Sequence, residues 1–373
     1  MPEVAKVLVV KVGSSLVTNN GVGIDEEQVR AWAAQVAQLK EGGYKVVLVS
    51  SGSIAAGLQH LNWHSHSKKV SMLQAAAAVG QMCLSQIYQR IFEEFSILTA
   101  QILLTHDEIK NRERYLNARA TLLTLLEHQV VPIVNENDTV STREIKLGNN
   151  DILGALVTNL VAAKLYVILT DQLGLYDSDP RKNPLAQLLD EVSVEDSRLL
   201  QFAGGAGSPV GTGGMLTKIQ AAQKAASSGA STIIASGKLP NVLIRIAQGE
   251  TIGTKLQPES PILNARQQWM MSQLIPSGVV IVDVGASLAL RKRENSLLPV
   301  GCIAVSGTFR RGDVVCIQTQ QREDIARGLV NYSSEEALRI LGCSTHEIEE
   351  RLGYMLEEEL VHRNHMVFLE RAT

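Results

Sequence analysis

Cysteine is scarce in this chain: Cys83, Cys302, Cys316 and Cys343 are the only four in 373 residues, and no two form a Cys-x-x-Cys pair. That spacing argues against a disulfide frame or a zinc site and reads as reduced, packed thiols. An excess of charge is also lacking. Lys and Arg number 35 against 38 Asp and Glu, a net charge of -3, so no general attraction to nucleic acid or anionic lipid is expected. Long apolar runs are missing too. The run from Val4 to Val10 is interrupted by Lys6 and stopped by Lys11, too short for the apolar core of a signal peptide. Later runs carry charges, such as Lys164 between Ala163 and Leu165. None offers the roughly 20 apolar residues of a membrane helix, and a cytoplasmic location without membrane attachment is expected. There is no internal repeat, no low-complexity tract and no Walker A motif.

What is present is ordinary soluble composition, 45% hydrophobic and 20% charged, in a chain long enough for about two domains with sizeable cores. Residues 1–258 read as strands alternating with helices. Strand-like runs are Val4–Val10, Lys45–Ser50, Ile97–Leu104, Val130–Val134 and Tyr166–Thr170. Between them, Asp25 to Lys40 carries Val29, Trp32, Val36 and Leu39 on one helical face, with Asp25 as N-cap and Gly42-Gly43 as stop. Helices are also predicted from about Ser71 to Glu94, Arg114 to His128 and Asp151 to Ala163. This rhythm predicts an α/β fold, a largely parallel sheet covered by helices on both faces. Pro258, Pro261 and Pro276 then punctuate a linker, 259–276, with one short helix around Trp269. The tail, 277–373, reads as a small β-rich domain with runs at Val279–Val282, Ala289–Arg291, Ile303–Val305, Val314–Ile317 and Ile325–Val330. A helix at about Glu335 to Leu341 and a last strand follow.

Polar residues gather where these strands end, which is where a parallel sheet binds ligands. Lys11-Val12-Gly13-Ser14-Ser15 offers a cation and a turn that an anion can approach, although a surface lysine before a turn would look the same. Ser50-Ser51-Gly52-Ser53 follows a strand and opens a helix, and the first N–H groups of a helix attract anions; tight packing is the plainer alternative. Gly211-Thr212-Gly213-Gly214-Met215-Leu216-Thr217-Lys218 is the sharpest signal. Its glycine density exceeds packing needs, and Lys218 falls in the first turn of the next helix, where it can reach a polyphosphate. Asn135-Glu136-Asn137-Asp138 and Gly148-Asn149-Asn150-Asp151 are either turn and cap residues, with Asp151 placed as an N-cap would be, or groups that grip an ammonium and place lysines. Thr170-Asp171, with Gly174-Leu175-Tyr176 and Asp179-Pro180-Arg181, suits a nucleoside edge.

Taken in order over about Val4 to Leu256, these motifs, with Arg112 to Arg119, resemble the amino-acid kinase family, and the tail from about Pro276 is similar to a PUA domain. Asn149, where an acidic residue is common, and Leu216, where a small polar one is, depart from the pattern. The resemblance implies ATP-dependent phosphorylation of the γ-carboxylate of free glutamate, the step that opens proline biosynthesis. It implies that Lys11 and Lys218 flank the transferring phosphoryl group and that Asp151 holds both. Lys11, Gly13, Thr170, Asp171 and the run Thr212, Gly213, Gly214, Met215, Leu216, Thr217, Lys218 would hold ATP. Ser51, Gly52, Asp138 and Asn150 would hold glutamate. Mg²⁺ would arrive with ATP, proline would inhibit, and the chain would form a homo-oligomer. No general base is needed, because the acceptor carboxylate is already ionised. RNA is not an expected partner of the tail, whose 11 Lys and Arg against 14 Asp and Glu from Pro276 onward lack a basic balance.

Overall fold

The computed structural model describes residues 6–18, 23–63, 69–141, 150–203, 214–259, 276–292 and 295–369, with backbone alone at 109, 110 and 112. The chain divides into two compact units, Met1–Ile109 with Arg119–Arg266, and Lys110–Ala118 with Gln267–Thr373.

The first unit is built on β1 (Lys6–Val12), β2 (Tyr44–Val49), β3 (Thr99–Leu104), β4 (Val131–Glu136), β5 (Leu165–Thr170), β6 (Glu191–Ser193), β7 (Ser231–Ser236) and β8 (Thr254–Gln257). They form one sheet in the order β3-β4-β2-β1-β5-β7-β8-β6. Every neighbouring pair is parallel except β7 with β8. The central strands are apolar on both sides, as in the run Leu8, Val9, Val10, because helices cover both faces. The helices are α1 (Ser14–Val17), α2 (Glu26–Glu41), α3 (Ser53–His60), α4 (Val70–Glu93), α5 (His106–Lys110), α6 (Arg112–Glu127), which belongs to this unit from Arg119 onward, α7 (Asn150–Leu160), α8 (Leu199–Phe202), α9 (Met215–Ala226) and α10 (Val242–Ala247). Asp25 caps α2, its Oδ1 accepting the Gln28 N–H at 3.0 Å, and Val29, Trp32, Val36 and Leu39 are buried on its inner face. The core on that face joins Leu8, Val10 and Leu48 of the sheet to Trp32, Leu84, Tyr88 and Phe92 of the helices.

Strand order fixes the site. β1 pairs with β2 on one side and β5 on the other, Lys11 lying level with Val49 and Ile168. The chain thus leaves β1 outward in both directions, and the carboxyl ends of β1, β2, β4 and β5 border one crevice, the position where such sheets bind ligands.

The second unit carries a five-stranded sheet of β9 (Gly278–Val282), β10 (Cys302–Gly307), β11 (Val314–Gln318), β12 (Asp324–Leu329) and β13 (Met366–Phe368), in the order β10-β9-β11-β12-β13. Its own core contains Val280, Val282, Phe309, Ile317 and Tyr332. The predicted strand at Ala289–Arg291 is corrected: these residues end a helix, α11 (Val284–Arg291). Asp283 starts that helix by accepting the Ala286 N–H at 2.6 Å, and the run of Ala and Leu favours helix once capped. Helix α12 (Ser334–Ile340) begins at a capping box of Ser333 and Glu336, and α13 (Glu347–Leu352) follows. The helix predicted around Trp269 lies outside the described residues.

Candidate functional site

Consecutive residues at the start of α7 face two clusters. Asp151 is fully buried, and its carboxylate lies between two lysines: Lys11 Nζ at 2.5 Å from Oδ1 and Lys218 Nζ at 3.1 Å from Oδ2. Asp151 is therefore not the N-cap its position suggests; it sits within the helix with its side chain spent on the lysines. Lys11 comes from the end of β1 and Lys218 from the first turn of α9. One carboxylate thus fixes cations supplied by two separate elements. The Thr217 hydroxyl reaches the same Oδ2 at 3.0 Å. Tyr166 of β5 donates to the Asp151 backbone carbonyl at 2.8 Å and is admitted by Gly154, where a Cβ would lie 2.3 Å from the phenol oxygen.

Burial pushes the Asp151 carboxyl up, but Lys11 and Lys218 together pull it below its ordinary range. Burial lowers Lys218, and the positive charge of Lys11 adds to that; Asp151 offsets part of it. Two lysines and one carboxylate leave a net charge of about +1 in a site nearly closed to water, where charge acts strongly.

Beside this clamp lies a cavity of about 250 Å³ whose lining includes Thr170, Asp171, Gly174, Tyr176, Gly214 and Lys218. Gly214 precedes α9 without a side-chain cap, so the start of that helix turns amide donors and positive dipole towards it. Met215 also lines the cavity; Lys11, Gly13, Leu216 and Thr217 do not. The Gly13 N–H is taken by the Leu169 carbonyl at 3.1 Å. Leu216 is exposed. Thr212 and Gly213 lie outside the described residues. Gly174 keeps the lining loop against β8, since a Cβ there would sit 2.7 Å from Thr254 Oγ1, the acceptor of the Leu175 N–H.

Asn150, one residue before Asp151, belongs to the second cluster. Its Nδ2 donates towards the Ser50 carbonyl at 2.8 Å, Ser51 Oγ at 2.9 Å and Asn135 Oδ1 at 2.8 Å. Asn135 in turn donates to Gln81 Oε1 at 2.7 Å. Gly52 forms the sharp turn into α3 at φ +103, where a Cβ would meet Thr18 Cγ2 at 2.9 Å. Asp138 is 4% exposed. Its Oδ2 accepts from Ser53 Oγ at 3.2 Å, and its Oδ1 has no hydrogen-bond partner among the described residues. Burial pushes this carboxyl up to about 6, with Glu136 adding to the rise and Ser53 opposing it. A buried carboxylate with an idle oxygen is an incomplete site for a cation.

Sequence reasoning missed Gln81, Ser53 and Tyr166. Gln81 and Tyr166 sit inside regular elements, where a lone polar residue carries no turn or glycine signal; Ser53 was seen only as part of an anion-binding turn.

Residues 6–236 match the amino acid kinase family, and residues 278–352 match the PUA domain. The chain is 57% identical to the glutamate 5-kinase of Chromobacterium violaceum, covering 97% of each chain. It is 54% identical to that of Methylobacillus flagellatus, with 98% of each covered, and 55% identical to that of Laribacter hongkongensis, with 97% of each. The solved structure of a carbamate kinase from Giardia lamblia bound to AMP-PNP aligns with 68% of this chain and 98% of its own, at 17% identity and a TM-score of 0.49.

Proposed function

This chain belongs to the amino acid kinase family, and from that premise we propose that it phosphorylates the γ-carboxylate of L-glutamate with ATP, giving L-glutamyl 5-phosphate, the first step of proline biosynthesis. The observation that carries this is the adjacency of Asn150 and Asp151: one helix start ties an amino-acid subsite to a two-lysine clamp.

Phosphoryl transfer to a carboxylate must bring two anions together. At about 4 Å, two like unit charges repel by about 4 kcal/mol at an effective dielectric of 20. Lys11 and Lys218 offset this repulsion and follow the charge as it spreads over the transferring oxygens. Asp151 keeps both ammonium groups in register before substrate arrives, so no reorganisation is needed during the reaction. The acceptor is ionised at neutral pH, so no side chain has to remove a proton.

ATP occupies the cavity at the start of α9. Thr170 and Asp171 face the nucleoside, while Gly214, Met215 and Lys218 meet the phosphates; Thr212, Gly213, Gly13, Leu216 and Thr217 are carried to the phosphates by the family resemblance alone. Mg²⁺ suits this place: exposed Asp171 offers oxygen and water is at hand, the donors it prefers, and bound to the phosphates it would neutralise charge there. Glutamate lies between Ser51, Gly52, Asp138 and Asn150, its α-ammonium on the idle oxygen of Asp138. Proline carries a cationic α-nitrogen, secondary where that of glutamate is primary, beside the same α-carboxylate, and would compete there; turnover indifferent to millimolar proline at sub-saturating glutamate would remove this control. The kinase unit is taken as residues 1–258, joined through 259–276 to the PUA-like tail at 277–373. We place the enzyme in the cytoplasm; no helix among the described residues is long and apolar enough to cross a membrane. Self-association is the expected solution state, and a monomeric mass by light scattering would contradict it.

The test is incubation with ATP, Mg²⁺, glutamate and hydroxylamine. ADP and γ-glutamyl hydroxamate should rise together with glutamate and not with aspartate or N-acetylglutamate. ADP with another acceptor alone would assign a different substrate.

A further inference from the structure

Aromatic side chains are scarce in this chain, with 3 Trp, 7 Tyr and 5 Phe in 373 residues. Two of them, Tyr176 and Phe202, border the cavity beside the clamp. At 4% of the chain, so small a lining would be expected to hold one aromatic or none. The lining is of two chemical kinds. Gly214 and Met215 at the start of α9, with Lys218, suit phosphate. Phe202 and Ala203 border the same space and carry no polar side-chain atom, so phosphate does not explain them.

Phe202 is the last residue of α8 and is half-buried. Packing alone would account for it if it anchored that helix, but the residue α8 buries is Leu199. The Arg198 guanidinium lies over the Phe202 ring, 5.5 Å from its centroid. Arg198 is itself oriented by Asp196, its Nε donating to Oδ1 at 3.1 Å and its Nη2 to Oδ2 at 2.7 Å. Phe202 borders the cavity and Arg198 does not. The ring therefore stands between the guanidinium and the cavity.

An aromatic ring with a cation over one face can still stack a flat group on the other. A nucleotide bound in this cavity by its phosphates brings such a group with it. We propose that Phe202 is the platform on which the nucleobase of the phosphoryl donor stacks. This rests on the ATP reading above. Stacking responds to ring area, and it adds to donor binding without touching the phosphates or the amino-acid subsite.

The experiment measures KM for ATP and for glutamate in wild type, Phe202→Ala, Phe202→Leu and Phe202→Trp, with inorganic triphosphate as a competitor that lacks the base. In Phe202→Ala, KM for ATP should rise about tenfold, the scale of one lost base–aromatic stack. KM for glutamate, kcat and the inhibition constant of triphosphate should each stay within about twofold. Phe202→Trp should bind ATP at least as well as wild type, and Phe202→Leu, which keeps apolar bulk and removes the ring, should raise KM for ATP about threefold. Should Phe202→Ala not fold, the Leu and Trp variants carry the expectation.

An unchanged KM for ATP in Phe202→Ala overturns the proposal. So does the opposite order, with Leu like wild type and Trp impaired, which is the mark of a side chain that only fills space. A rise in the triphosphate constant matching that for ATP places the effect on the phosphates and overturns it too. Failure of the ATP reading itself looks different: wild type would show no saturable dependence on ATP, and no variant is needed to see it.

Discussion

Asp138 is costly where it stands. With its carboxyl pushed up to about 6 by burial, the ionised form disfavours the folded state by about 3 kcal/mol at neutral pH. The sign follows from proton binding: between the unfolded value of 3.8 and about 6 the folded chain holds the extra proton, so stability falls as pH rises through that window. A bound ammonium would remove the cost, which makes the site receptive to a cation. Asp138→Asn is therefore expected to raise Tm at neutral pH, with the gain shrinking as pH falls through about 6. The same change should raise KM for glutamate far more than KM for ATP. Melts at two pH values and paired saturation curves check this, and a lower Tm with both KM values raised alike would refute it. In wild type, kcat/KM for glutamate should fall as pH drops through about 6 and Asp138 takes up its proton. Lys218→Ala should lower kcat by roughly 10²–10³, the usual loss for one preorganised electrostatic donor; retention of more than half would remove Lys218 from the chemistry. The strand-end lysine and the helix-start lysine were legible in the sequence because glycines and strand ends mark them. Gln81 was not, because a glutamine within an Ala-rich helix reads as a solvated position until something packs over it.

Its neighbour in the chain, Gly80, faces α3. At Gly80 a Cβ would fall 1.8 Å from the Ser53 carbonyl and 2.4 Å from the Gly57 N, and at Gly57 one would fall 1.7 Å from the Ala76 carbonyl. The two helices touch backbone to backbone next to Gln81, which is buried, and Ser53 at the start of α3 reaches Asp138. Gly80→Ala must separate them and should cost about 3 kcal/mol, the upper end for overpacking, with a rise in KM for glutamate. An unchanged urea midpoint would show that the crossing is not tight. Close helix crossings leave only isolated glycines in a sequence, and these also read as weak helix positions. The tail shows the other limit of local reading. Ala289–Arg291 is apolar and short enough for either structure, and Asp283, six residues earlier, decides for helix by capping.

For the molecule as a whole, the alternation of apolar strands and amphipathic helices made the mostly parallel sheet legible. The antiparallel β8 was not, since its direction depends on how α10 returns the chain and not on its own four residues. The order of strands then assembles a site from segments distant in sequence: Lys11 and Lys218 meet on Asp151, and Ser51 meets the adjacent Asn150, because β1 lies between β2 and β5. The central claim is that this site makes a carboxylate, and not water, accept the phosphoryl group. Glutamate labelled with ¹⁸O in its side-chain carboxylate tests it in the hydroxylamine assay. Transfer joins a carboxylate oxygen to phosphorus, and hydroxylamine then breaks the carbon–oxygen bond. Each hydroxamate should therefore be matched by one phosphate carrying one ¹⁸O. ADP accompanied by unlabelled phosphate would mean that water takes the group, and would contradict the reaction assigned to this site.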